Sequence, residues 1–120
     1  MESAKYKKGL KRRQSVLGKK YVENALVNTT DFDQDFQRFI TENAWGDVWL
    51  KKSLQFKEKS LITICLLAAM RHWEEFDLHI KTAINNGVKK NEIAEALFHV
   101  AIYAGVPAAN TAFRRAKKLI

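Results

Sequence analysis

Apolar residues recur every three or four positions along most of this chain, which is the spacing that places side chains on one face of an α-helix. Residues 4–16 predict a first helix, and Gly18 is placed to end it. A short second helix follows, and the cap-forming cluster at residues 28–31 predicts the start of a third. Their apolar positions are Val22, Ala25 and Leu26, then Phe32, Phe36, Phe39 and Ile40. Gly46 interrupts the pattern, so residues 44–49 are interpreted as an aromatic loop that is not clearly part of the core.

The second half of the chain predicts four more helices. Residues 57–70 are apolar on nearly every side after Ser60, which is typical of a helix buried all round. Residues 72–86 are amphipathic, with an apolar stripe made by Trp73, Phe76, Ile80, Ala83 and Ile84. Asn91 is predicted to cap the next helix, which ends at Gly105, and Pro107 suits the first turn of the last. We therefore expect an all-α, single-domain bundle of six to seven helices over residues 1–120.

Composition supports helices and indicates self-association. Glycine (5) and proline (1) are too scarce for a fold rich in hairpins. The helices at 60–70 and 93–104 carry more apolar surface than a small chain can hide, since such domains bury only about 60–70% of their unfolded surface. The single cysteine, Cys65, excludes an internal disulfide and a multi-cysteine zinc site, and it fits a reducing cytoplasm. No signal peptide or membrane span is visible, so we expect no membrane partner.

The net charge of +8 is concentrated at the two ends of the chain. Residues 1–20 carry eight Lys and Arg against one Glu, residues 114–120 carry four, and residues 21–113 carry nine basic against twelve acidic side chains. One interpretation is a nucleic-acid patch on a basic, non-enzymatic binding module. The other is solvated helix ends that attract an anionic substrate. No zinc-finger spacing or RNA-binding aromatic motif is present, so we expect no nucleic-acid partner.

His79 is the main candidate for chemistry because histidine exchanges protons near neutral pH. Glu75 lies one helical turn before it and can orient it, although a histidine at the edge of the core would have the same neighbours. His72 extends this face, and a His72, Glu75 and His79 trio is a further alternative as a metal site. Two other candidate binding groups are Lys59, for a carboxylate, and the Trp45-Gly46-Asp47 loop, for a small molecule. A loop merely pinned by its tryptophans is the alternative.

Several short motifs, taken in order, resemble the carboxymuconolactone decarboxylase family over about residues 9–117. The matching pieces are Arg12-Arg13 with Val16-Leu17-Gly18, Ala44-Trp45-Gly46-Asp47-Val48-Trp49, Lys59-Ser60-Leu61-Ile62-Thr63-Ile64, Glu74-Glu75-Phe76-Asp77-Leu78-His79, Asn85-Asn86-Gly87-Val88, Glu92-Ile93, and Ala101-Ile102-Tyr103-Ala104-Gly105-Val106-Pro107-Ala108-Ala109-Asn110. Each piece alone is weak, but their common order is specific.

This resemblance implies a fold like that of alkylhydroperoxidase D, assembled as a homohexamer (a trimer of dimers). It implies a cytoplasmic, cofactor-independent carboxy-lyase that removes CO₂ from 4-carboxymuconolactone in the β-ketoadipate pathway of protocatechuate degradation. The related hydroperoxidases use a Cys-x-x-Cys pair, whose positions fall here on His72 and Glu75, so a thiol-redox role is not expected. No metal or other cofactor is expected.

The resemblance also implies roles for individual residues. His79, oriented by Glu75, would protonate the substrate or stabilise its dienolate. Lys59 and Arg12 or Arg13 would bind carboxylate, with Trp45, Asp47 and Tyr103 completing the substrate pocket. The family usually has arginine at the position of Lys59, and lysine lacks the two-pronged guanidinium geometry. A different lactone or keto-acid substrate is therefore the alternative.

Overall fold

The computed structural model describes residues 2–120 and confirms the all-α prediction, because no residue in that range forms a strand. The seven α-helices are α1 (Ala4–Leu17), α2 (Lys19–Val27), α3 (Gln34–Ile40), α4 (Phe56–Met70), α5 (Trp73–Asn85), α6 (Lys90–Tyr103) and α7 (Val106–Leu119). The chain divides into two compact units, residues 1–53 (unit 1) and 54–120 (unit 2). None of the helices in the described range is long and apolar enough to cross a membrane.

Unit 1 pairs α1 with the segment that follows α3. The helix α1 ends at Gly18, whose φ of 96° a residue with a side chain rarely adopts. The third helix begins at Gln34, later than the 28–31 cluster predicts, because the backbone N–H of Thr30 donates to Asp33 Oδ1 (2.7 Å) in the turn before it. Residues 41–45 form a π-helix, here called the π-segment, and a 3₁₀ turn covers Val48–Leu50. The prediction of an irregular loop is therefore wrong for Ala44 and Trp45.

Unit 2 contains a continuous apolar core built around α5. The buried members of this core are Ile64, Ala68, Phe76, Ile80, Ala83, Val88, Ile93, Leu97, Val100, Ala108, Ala109, Ala112 and Ala116. The amphipathic stripe predicted for α5 is confirmed, since Phe76, Ile80 and Ala83 are fully buried. An Arg115–Asp77 ion pair joins α7 to α5 (3.0 and 2.7 Å), and the Arg115 guanidinium lies over the Trp73 ring.

Two details of unit 2 correct the sequence prediction. The α6 helix begins at Lys90 rather than after Asn91, because the Glu92 carboxylate accepts the backbone N–H of Lys89 at 2.9 Å and so caps the helix two residues earlier. The α4 helix is not buried all round in the single chain, because one of its faces is exposed. We call the exposed large side chains of these two helices and the first residue of α7 the α4/α6 apolar surface; they are Ile62, Leu66, Met70, Phe98, Ile102, Tyr103 and Val106.

Candidate active site

The imidazole of His79 lies in the middle of α5, with only 9% of the residue exposed. Phe76 and Ile80 on the same helix are fully buried, so this face of α5 excludes water. Burial lowers the pKa of His79, and the negative charge of Glu75 opposes that shift without cancelling it. The ring is therefore neutral at neutral pH in the free protein. Both other histidines, His72 and His99, are exposed.

Glu75 is the acidic side chain of α5 that acts on His79. It is exposed, one turn before the imidazole, and its charge favours the protonated ring. Asp77, two residues later, is engaged by Arg115 instead. Asp77 is thus the carboxylate of this motif that packs α5 against α7, and Glu75 is the one whose charge acts on His79.

Lys59 and Ser60 lie together near the start of α4, in the same unit as His79. Lys59 is half-buried, whereas Ser60 is fully buried. The Ser60 hydroxyl has no hydrogen-bond partner among residues 2–120. A buried hydroxyl without a partner costs free energy, so its position is unusual for a purely structural residue. Ser60 was not among the residues predicted from the sequence; its signal is a small polar side chain at the start of an otherwise apolar helix.

Tyr103, the last residue of α6, is 86% exposed. Its ring therefore does not wall a dry pocket within one chain. It belongs to the α4/α6 apolar surface, so packing of another molecule on that surface is required before the ring can exclude water.

In unit 1, the Trp45 side chain is held firmly by its own segment. It is only 6% exposed and stacks on Trp49, with ring centroids 4.9 Å apart. Asp47 is exposed and forms an ion pair with Lys51 (3.3 Å). This arrangement has the character of the pinned loop that the sequence left open as an alternative.

The two arginines of α1 have different surroundings. Arg12 lines a surface cleft of about 350 Å³ together with Lys8, Lys11, Ser15 and Leu50. None of the described residues that line this cleft is acidic, so it is suited to an anion. Arg13 is 5% exposed and donates to the side chains of Thr41 and Gln37, both at 3.1 Å. These internal partners, 24 and 28 positions away, are a feature that the sequence pattern does not reveal.

Two other features of the sequence could carry chemistry, namely the candidate metal trio on α5 and Cys65. Within residues 2–120, no three His, Cys, Asp or Glu side chains are placed to hold a metal ion, and the His72, Glu75 and His79 trio is thus not such a cluster. The Cys65 thiol donates to the carbonyl of Ala96 (3.5 Å), and burial raises its pKa. A raised pKa lowers the thiolate fraction, so Cys65 has the character of an unreactive core thiol.

Comparison with known sequences identifies the family. Residues 34–118 match the profile of the Carboxymuconolactone decarboxylase family, a range that begins in unit 1 and continues through unit 2. The chain belongs to the carboxymuconolactone decarboxylase family. This membership confirms the resemblance drawn from the motifs.

Two relatives of this family member match over most of their length. The 4-carboxymuconolactone decarboxylase of Acinetobacter baylyi is 42% identical over 118 residues, which cover 98% of this chain and 88% of that protein. The nitrosuccinic acid decarboxylase of Metarhizium robertsii is 48% identical over 102 residues, which cover 85% of this chain and 71% of that protein. Both relatives are named as decarboxylases, but their named substrates differ.

Proposed function

We propose that this protein is a 4-carboxymuconolactone decarboxylase, which releases CO₂ and forms the β-ketoadipate enol-lactone. The observation that carries the proposal is the 42% identity to a protein of that name over 98% of the chain. The buried His79 in a family member of the expected length and fold supports it. The reaction belongs to the degradation of protocatechuate. We place it in the cytoplasm, a reducing compartment that keeps a cysteine without a disulfide, such as Cys65, as a thiol.

The substrate supplies its own electron sink. Its departing carboxylate is attached to a saturated ring carbon, and a ring double bond links that carbon to the lactone carbonyl. When the C–C bond to CO₂ breaks, its electron pair passes through the ring onto the carbonyl oxygen and gives a dienolate. A proton added to ring carbon then completes the reaction, so atoms and charge balance without a bound cofactor.

His79 can serve both steps of this reaction, the loss of CO₂ and the protonation of the ring carbon. In the substrate complex the His79 ring donates an N–H to the developing dienolate oxygen, and such a preorganised donor contributes roughly 3 kcal/mol to transition-state stabilisation. The substrate also brings two carboxylates, whose negative charge raises the pKa of His79 in the complex. Glu75 acts in the same direction, so the bound site favours an imidazolium that can deliver the proton to carbon.

The remaining candidate residues are assigned to binding. Lys59, half-buried in the first turns of α4, is proposed to hold the carboxylate that remains on the product. Arg12 and its cationic cleft are proposed to attract the di-acid. Tyr103 is proposed to shape the pocket in unit 2, and Trp45 and Asp47 of unit 1 are each proposed as substrate contacts.

Nitrosuccinic acid is a second candidate substrate because the relative that is 48% identical is named for its decarboxylation. The two substrates share one chemistry. Each carries two carboxylates, and each has an electron-withdrawing group that accepts the electron pair left by CO₂: the conjugated lactone carbonyl in one and the nitro group in the other. A cationic Lys59 and a donor such as His79 suit both acids.

We further propose that the protein works as a homo-oligomer, a hexamer arranged as a trimer of dimers. The α4/α6 apolar surface supports self-association, because seven large apolar side chains exposed on one small unit are unusual for a monomer. The near-complete exposure of Tyr103 supports a pocket that another copy helps to enclose.

The test is decarboxylation of both acids by the purified protein in the presence of a chelator. We expect CO₂ release and loss of ultraviolet absorbance with 4-carboxymuconolactone, and slower or no turnover of nitrosuccinate. Faster turnover of nitrosuccinate would replace the first substrate with the second. No turnover of either acid by a folded protein would contradict the proposal.

The role of His79 is tested by a matched pair of variants. His79→Gln should lower kcat by at least about 100-fold, the lower end of what a general acid or base contributes. His99→Gln replaces an exposed histidine on α6 and should leave kcat unchanged. Full activity in a folded His79→Gln protein would remove the central assignment.

A further inference from the structure

Arg13 is a buried cation whose hydrogen-bond partners are all neutral. Its two terminal nitrogens donate to Thr41 Oγ1 and Gln37 Oε1, and its Nε atom is buried with no partner among the described residues. No carboxylate of residues 2–120 forms an ion pair with it. Burial lowers the pKa of Arg13, although the nearby Tyr21 and Tyr6 oppose the shift. Burying a charge with no opposite charge beside it costs free energy, so the two side chains that Arg13 binds indicate what role it has.

Both partners of Arg13 lie where α3 passes into the π-segment. Thr41 is the first residue of that segment, and its hydroxyl donates in turn to the carbonyl of Gln37 at 2.8 Å. The segment closes when Gly46 N–H donates to the carbonyl of Thr41 (2.9 Å), the wider hydrogen bond of a π-helix. Arg13 therefore holds the residue that both begins and closes the turn carrying Trp45.

The contact between α1 and the π-segment leaves no room for adjustment. A Cβ added to Gly9 would lie 2.9 Å from the backbone nitrogen of Gly46 and would collide with the carbonyl of Thr41. A Cβ added to Gly46 would lie 2.6 Å from the carbonyl of Lys5. The backbones of α1 and the π-segment thus touch at Gly9 and Gly46. The hydrogen bonds of Arg13 fix where the π-segment lies along α1.

We propose that Arg13 is a positioning residue, which acts through Thr41 and Gln37 to fix the Trp45-Gly46-Asp47 segment in its working geometry and does not itself bind substrate. The inference rests on the proposed function in one respect, namely that this segment borders the substrate. The position of this segment matters for function because catalysis depends on the exact placement of the groups around the substrate. A shift of about 1 Å can lower a rate by about 100-fold.

A double-mutant cycle tests this role. Arg13→Lys keeps the charge but cannot reach both acceptors in the fixed fork of a guanidinium, and Thr41→Val removes one acceptor at nearly constant shape. Each variant should lower kcat/KM by about tenfold or more with assembly unchanged, and the double variant should be no worse than the poorer single. The control is Arg38→Gln, which removes an exposed arginine paired with Asp35 and should change nothing.

Direct binding of substrate by Arg13 would give a different result. In that case Arg13→Lys alone would raise KM, and Thr41→Val would match the wild type, which would overturn the proposal. Equal losses that multiply in the double variant would overturn it as well, because independent effects do not pass through a single link.

A second readout does not depend on activity. The stacked rings of Trp45 and Trp49, 4.9 Å apart and inclined by 22°, should give an exciton couplet in circular dichroism. We expect Arg13→Lys and Thr41→Val to weaken it and Arg38→Gln to leave it intact. An unchanged couplet in both variants would overturn the proposal, as would a changed couplet with wild-type kcat/KM. If the wild type decarboxylates neither acid, the proposed function fails, and the couplet alone decides whether Arg13 fixes the segment.

Discussion

Replacing Ile102 with lysine should strongly weaken the self-association that we propose while leaving the fold of each copy intact. Ile102 is 77% exposed in the single chain, and full burial of an isoleucine side chain stabilises by about 1.5–3 kcal/mol. Covering the exposed three quarters therefore contributes roughly 1–2 kcal/mol per copy. In a two-fold contact the same residue counts once from each subunit, so the loss is roughly 2–4 kcal/mol. That loss corresponds to a dissociation constant raised about 30- to 700-fold.

Sedimentation velocity over a series of protein concentrations measures this change directly. The matched control is Val27→Lys, which also places a cation on an exposed apolar position but lies in unit 1, outside the α4/α6 apolar surface. We expect Ile102→Lys to shift assembly to higher concentration, with a helical content in circular dichroism close to that of the wild type. Association of Ile102→Lys at wild-type strength would refute the reasoning, and so would an equal weakening by Val27→Lys.

Three further predictions concern stability. Because burial lowers the pKa of His79, the unfolded chain binds a proton near pH 6.5 while the folded chain does not; the free energy of unfolding should therefore fall as the pH is lowered through about 6.5, and His79→Gln should reduce that slope in urea titrations. An identical slope in both proteins would contradict this. Gly9→Ala should destabilise by about 1–3 kcal/mol despite the helical preference of alanine, because its Cβ meets backbone atoms; a stabilised variant would show that the two backbones can separate. Phe76→Ala should cost about 3–5 kcal/mol, since the ring is fully buried edge-on to Trp73, and a loss below about 1 kcal/mol in the same assay would place Phe76 outside the core.

Local patterns were enough to predict most of the secondary structure. The apolar stripe of α5 and the glycine stops at Gly18 and Gly105 depend on residues within one or two turns of each other, and both glycines have a positive φ. Pro107 opens α7 for the same local reason. The ordered motifs also identified the family, because short motifs in a common order need no tertiary information.

The starts of α3 and α6 and the aromatic segment were predicted less well. At the two helix starts, neighbouring side chains competed for the backbone N–H groups. Glu92 caps α6 two residues before the predicted start, and Asp33 takes the N–H of Thr30 before α3 begins. The π-segment leaves no mark on hydrophobic periodicity, since a single turn with wider hydrogen bonds is too short to alter a pattern read over many residues.

The candidate site shows most clearly what the sequence determined and what only the tertiary structure decided. The sequence by itself singled out His79 and Glu75, because their spacing on one helix face follows from helix geometry. It could not show that Asp77 pairs with Arg115, 38 positions away, or that Arg13 is buried against Thr41, 28 positions away. It also assigned burial to the whole of α4, where one face is exposed. The partner of a side chain and the burial of a residue depend on which helices pack together in the folded chain. Packing brings together residues that are far apart in the sequence, so local spacing cannot predict either property.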